Sequence, residues 1–208
     1  MDLTPLRDEL DIPDMQPLSP YSQPRTNPVE YLVLHATDGP TDSVEAEFLA
    51  TQAWFQRNPR RVSVDFLVGK DSIARCIPWD HYGYGAGKIN NRAIHIEVAY
   101  PRVLLERYGG KVEPEQLSHL VTLVAGIMRH GRGKPWWKRY QGNGWLIEHR
   151  ELPAEATGSG ITRDIGPEFQ REEFLSRVVA LEAGRLEGAA DALVKAVKQM
   201  ARIARPFT

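Results

Sequence analysis

One cysteine among 208 residues excludes an internal disulfide, so nothing in the fold demands an oxidising compartment. That residue, Cys76, lies in the apolar run Ile73 to Pro78, which reads as a strand. It is expected as a small core residue, not a nucleophile. Long apolar runs are missing too: none approaches the ~20 residues that a membrane-spanning helix needs. The first residues carry Asp2, Asp8 and Glu9 with no apolar stretch behind them. This reads as a chain made in the cytoplasm without a secretory signal. Charge of one sign is also lacking, since 26 basic and 27 acidic residues leave a net charge of −1. That balance gives no support for a nucleic-acid or membrane surface over the whole molecule. A compact metal motif, such as two histidines on one helix, is absent as well.

What is present is ordinary for a globular protein: 42% hydrophobic and 25% charged residues, enough to bury a core without covalent staples. The length suits one large domain, or a domain with an appendage. Pro5, Pro13, Pro17, Pro20, Pro24 and Pro28 crowd the first 30 residues and predict an extended arm over 1–28. The run Tyr31-Leu32-Val33-Leu34 predicts a short buried strand, stopped by Thr37-Asp38-Gly39-Pro40. His35 therefore stands where a core strand runs out into a loop, a place where scaffolds present reactive side chains. A half-buried structural histidine is the plain alternative.

Asp42 or Thr41 can cap a helix with apolar positions Val44, Phe48, Leu49 and Trp54 or Phe55, ended by Asn58-Pro59. Val62 to Gly69, turned by Lys70-Asp71-Ser72 into the Cys76 strand, makes a hairpin. Residues 79–92 form a loop dense in Gly, Tyr and Asn. In Ala93 to Tyr100, alternation sets Ile94, Ile96 and Val98 towards a core and His95, Glu97 and Ala99 away from it. A helix opens at Glu113-Pro114-Glu115 and closes at Gly131, and Trp145-Leu146-Ile147 is a last strand. From Pro167 the chain is helical, with a break expected near Gly184 and Gly188. Strands interleaved with helices predict an α/β domain with a mixed central sheet flanked by helices and extra C-terminal helices.

His149 repeats the setting of His35, following a short apolar strand. The loop Thr162-Arg163-Asp164-Ile165-Gly166-Pro167 adds a carboxylate before a helix. Two histidines and a carboxylate, each just past a structured element, form a candidate first-row metal set; catalytic zinc, for one, typically uses three protein ligands and keeps a position for water.

These segments together resemble the type 2 N-acetylmuramoyl-L-alanine amidases, which include peptidoglycan recognition proteins, phage lysozyme-type amidases and wall-recycling amidases. Tyr31 to Thr37 resembles the strand with the first zinc ligand, and Val62 to Asp71 the hairpin ending in an "RDG"-like turn. Tyr84-Gly85-Ala86-Gly87, Asn91 and Ala93 to Glu97 resemble "WHAG…N…SIGIE". Glu148-His149-Arg150-Glu151 resembles "GHRD", and Thr162 to Pro167 the "K/T-x-C/D-P-G" loop. The matches run in the family's order over about 29–175. The resemblance implies a zinc site at one end of the sheet, with His35, His149 and Asp164 as ligands and Glu97 as general base. It implies that Thr162 supports the oxyanion with a hydroxyl where many members carry lysine. The histidine of "WHAG" is replaced by Gly85, the proline after the third ligand by Ile165, and Asp65 stands where the hairpin often has histidine.

Trp79, Tyr84, Asn91 and Arg92 are candidates to bind sugar and peptide, with loop anchoring as the alternative for the aromatics. Trp136 and Trp137 form a second aromatic cluster, expected to be a packed loop. Over 191–205, Lys195, Lys198 and Arg202 share a helical face. This makes 184–208 an amphipathic basic helix, docked by its apolar face or attracted to anionic lipid or lipopolysaccharide. The resulting expectation is a zinc amidase domain over 29–183, monomeric, acting on peptidoglycan and not on nucleic acid. Its expected role is that of a phage or prophage endolysin that reaches the wall at host lysis. The alternatives are a cytoplasmic wall-recycling amidase and a non-catalytic wall-binding module.

Overall fold

The computed structural model describes residues 4–16, 18–57, 60–131, 146–148 and 165–184. Its framework is a five-stranded mixed sheet in the order β4-β3-β6-β2-β7. The strands are β2 (Tyr31–Ala36), β3 (Phe66–Val68), β4 (Ile73–Arg75), β6 (Ala93–Val98) and β7 (Leu146–Glu148). β3 and β4 form the expected antiparallel hairpin, with Phe66 opposite Arg75 and Val68 opposite Ile73. The other neighbours are parallel and are joined by long crossover connections. A second small sheet pairs β1 (Gln23–Pro24) with β5 (His81–Tyr82).

Alternation divides the main sheet into two unlike faces. Leu32, Leu34, Phe66, Val68, Ile94, Ile96 and Val98 are buried on the first and join the main core. Helix α4 (Pro114–Gly131) covers this face with Leu117, Leu120, Val121, Val124 and Ile127, and Phe174 and Val178 of a helix over 171–184 join it. On the second face, α2 (Val44–Arg57) packs Val44, Phe48 and Phe55 over Leu67 and Ala74. Ser43, and not Asp42 or Thr41, caps this helix, its Oγ accepting from Ala46 N–H at 3.2 Å. Leu49, expected on the buried stripe, is 64% exposed.

The arm is not extended throughout. Residues Thr4–Leu10 form helix α1, against the expectation from the proline count. Pro5 falls in the first turn, where its missing N–H costs nothing, and the next proline is Pro13. Seven residues are too few for a helix to hold alone, so tertiary contacts must stabilise it. Leu6 and Ile12 are buried in the main core, and burial of each contributes about 1.5–3 kcal/mol. Glu9 pairs with Arg129 and His130 of α4. Beyond α1 the arm runs along β4: Met15 N–H donates to Arg75 O and Ser19 N–H to Cys76 O. It thereby covers a sheet edge that would otherwise present unpaired backbone groups.

Helix α3 (Arg102–Tyr108) was not legible as an element, and it buries none of its residues. The 79–92 loop contains β5 and a 3-10 helix, Gly87–Arg92. Cys76 is fully buried and burial pushes its thiol pKa up, so it is a core residue as expected. The Trp136 cluster and the basic segment 191–205 lie outside the described residues, as does all of 185–208.

Candidate functional site

The second face of β6 explains where a site can form. Ala93 packs in a small cluster with Val33, Ala86 and Ile89, while Ala99 packs under α2. Between these two apolar patches the same face carries His95 and Glu97, and in register beside Glu97 on β2 stands His35. The sheet thus places two imidazoles and a carboxylate together, with the side chains aimed away from the main core.

His35 is 6% exposed and its Nε2 lies 3.1 Å from Nδ1 of His95, which is fully buried. Glu97 is half-buried. The strand end that carries His35 is fixed. Thr37 N–H donates to Val98 O, Thr37 Oγ1 donates to Tyr100 O, and Tyr100 N–H donates back to Thr37 Oγ1. Asp38 follows in the left-handed region at φ 49° and pairs with Arg102 at 3.2 Å. Glu47 of α2 is buried and accepts from Thr41 and Thr51, which ties the loop after His35 to the helix.

Asp65 fixes the neighbouring strand. It is fully buried; its N–H donates to His95 O at 3.0 Å and its Oδ2 accepts from His95 N–H at 2.9 Å. Its Oδ1 faces Arg25 Nη2 at 3.1 Å and Arg75 Nη1 at 3.6 Å, both guanidinium groups being buried. Burial lowers the pKa of both arginines, and the Asp65 charge partly offsets this. Arg25 belongs to the arm, so the arm, the hairpin and β6 meet at one carboxylate. Sequence reading singled out neither this ion triad nor His95 as part of the site. The alternation that aimed His95 beside Glu97 was the available signal for the histidine.

The candidate binding residues separate. Tyr84 precedes Gly85, whose backbone lies against both imidazoles: a Cβ there would meet His95 Nδ1 at 2.8 Å and His35 Nε2 at 3.3 Å. Tyr84 also stacks obliquely with Tyr82 at 5.8 Å, and desolvation raises its pKa. Trp79 is an anchor: it packs edge-on to Phe66 and lies under the Arg75 guanidinium at 4.8 Å. Asn91 Oδ1 accepts from Thr26 and Asn27 N–H and so holds the arm. Arg92 pairs with Glu30 and lies over Tyr31. Asn91 and Arg92 precede Ala93, four residues and about 13 Å of strand before Glu97.

His149, Thr162 and Asp164 lie outside the described residues. Of their neighbours in the chain, Glu148 pairs with Leu34 in the sheet and Ile165 is buried in the main core. Among the described residues no three His, Cys, Asp or Glu side chains could together hold a metal. The donor chemistry of His35, a largely buried imidazole on a fixed strand end, fits zinc.

Comparison with known proteins sets this geometry in a family. The family model described as N-acetylmuramoyl-L-alanine amidase, Amidase_2, matches residues 25–166. A search of the curated proteins found no match. Among solved structures, the endolysin N-acetylmuramoyl-L-alanine amidase LysCS from Clostridium intestinale URNW is similar at TM-score 0.53 and 19% identity, covering 80% of this chain and 93% of that one. The hydrolase AmiA of Staphylococcus aureus, solved in complex with its ligand, aligns at TM-score 0.52 and 17% identity over 76% of each chain. The wild-type Drosophila protein PGRP-LB aligns at TM-score 0.50 and 18% identity, over 74% of this chain and 89% of that one. These likenesses carry the fold, and the family model spans well over half of the sequence. The chain belongs to the type 2 N-acetylmuramoyl-L-alanine amidase family.

Proposed function

We propose that the protein hydrolyses the amide between the lactyl group of N-acetylmuramic acid and L-alanine in peptidoglycan, in a zinc-dependent reaction. The observation that carries this reading is the register of His35 with Glu97 on the outer face of two parallel strands, inside the span of the family model. His35, His149 and Asp164 would hold the metal. Zinc, when bound, polarises a carbonyl and lowers the pKa of water from about 15.7 towards about 7.

The chain's own residues would do the rest. Glu97, half-buried on a rigid strand, accepts the proton of the attacking water and returns it to the leaving amide nitrogen. Thr162 supplies a hydroxyl donor where negative charge develops on the carbonyl oxygen, a weaker stabiliser than a lysine ammonium. Tyr84, which precedes the Gly85 backbone beside His35 and His95, is the aromatic we assign to stack on a sugar ring.

An endolysin role, with action on the cell wall at host lysis, is the biological setting we favour, since the similar LysCS carries that description. Contact of the basic 184–208 segment with anionic lipid belongs to the same proposal.

Purified protein should clear a turbid peptidoglycan suspension and release new amino termini, and EDTA should abolish both. Folded, zinc-supplemented protein that releases no amino termini at any pH would refute the catalytic reading and leave a wall-binding module.

A further inference from the structure

The family resemblance gives no role to His95, yet the fold buries it beside His35 on the adjacent strand. It is fully buried, its backbone N–H and C=O are both engaged by Asp65, and its Nδ1 lies 3.1 Å from His35 Nε2. Two imidazole nitrogens at that separation share one proton, so one ring must donate and the other accept. If His35 binds a metal, its coordinating nitrogen must be unprotonated, and the proton sits on its other nitrogen. A ring that donates through Nε2 coordinates through Nδ1.

Resting on the reading of His35 as a zinc ligand, we propose that His95 is a positioning residue that accepts a hydrogen bond from His35 Nε2–H and so fixes the tautomer and tilt of the ligand. Metal-bound histidines usually donate their second N–H to a carboxylate, a carbonyl or water. Here the adjacent strand supplies an imidazole in that place, with its own proton on Nε2. Gly85 is part of the device. Its φ is not in the left-handed region, so an alanine is allowed by the backbone. The Cβ would nonetheless approach His95 Nδ1 to 2.8 Å and Cγ to 2.9 Å, closer than such atoms pack. The absence of a side chain at position 85 is what leaves room for the imidazole pair.

The test measures zinc affinity by chelator competition, and ring tautomers by nitrogen-15 imidazole spectra, in the full chain. His95→Ala should weaken zinc about 10–100-fold. His95→Asn, whose Oδ1 can accept near the Nδ1 position, should recover most of that loss. Gly85→Ala should weaken zinc in the wild-type background and add little in His95→Ala, because the two act on one contact. The spectra should show His35 protonated on Nε2 in the wild type. Zinc affinity unchanged in His95→Ala, or a His35 protonated on Nδ1, would overturn the proposal. Wild-type chain that binds no zinc would refute the ligand reading instead. The metal-free spectra would still judge the pair, since a His35 ring indifferent to His95→Ala denies the contact.

Discussion

Glu97→Gln should lower kcat for peptidoglycan hydrolysis by about 10²- to 10⁴-fold, the range for loss of a positioned general base. That is roughly 2.7–5.4 kcal/mol of barrier. The amide keeps the size of the side chain and its capacity to accept a hydrogen bond, but it cannot take up a proton. Zinc content and thermal stability should be nearly unchanged, because the strand is held by its ladder to β2 and β3 and by the apolar residues on its other face. This separates catalysis from structure. Were Glu97 only a half-solvated strand residue in an ion pair, the substitution would shift stability by no more than about 1 kcal/mol and leave kcat within a few-fold. Steady-state kinetics on soluble muropeptides, with zinc analysis of the same preparations, decide between the two.

Asp65→Ala should have the largest effect on stability. The carboxylate is the counter-charge of two buried guanidinium groups and also receives the His95 backbone N–H. A buried ion pair contributes little net stability when complete, but removing one partner strands the other charge in a low-dielectric interior, at a cost of about 3–5 kcal/mol. In a chain of this size that corresponds to a fall in melting temperature of roughly 6–20 °C. The loss should spread to the site, because the same carboxylate holds the backbone of His95 and, through Arg25, the arm. Arg25→Met, which leaves Asp65 facing Arg75, should cost less than Asp65→Ala. An Asp65→Ala protein melting within a few degrees of wild type would show that the arginines find other partners.

Much of the fold was legible because the periodicities are local. The alternation in 93–98 sorted core from outer face correctly, and the apolar stripe of 114–131 marked α4. The misses have specific causes. Helix α1 was hidden by a proline count that ignored position: Pro5 sits in the one turn of a helix that tolerates it. Helix α3 has no fully buried residue, only Leu104 and Leu105 packed in part against the core, so no long apolar stripe announced it. The Arg25–Asp65–Arg75 triad joins residues 40 and 10 positions apart, and no pattern in a sequence states which charges a fold will bury together.

The site was legible to a similar degree. His35 could be placed at a strand end, and Glu97 on an outer face, from alternation and turn residues. That the two share one level of the sheet depends on the pairing of β2 with β6, which is set by tertiary packing. The same pairing brings His95 to His35. Asn91 also shows what a loop sequence leaves unsaid: its Oδ1 accepts from Thr26 and Asn27 N–H and so fastens the arm.

A metal held on His35, as proposed above, is tested most directly by metal analysis. Wild-type protein stripped with EDTA, dialysed against zinc and desalted should retain equimolar zinc, while His35→Ala, folded by circular dichroism, should retain almost none. Wild-type protein that takes up no zinc, or a His35→Ala protein that keeps a full equivalent, would contradict it.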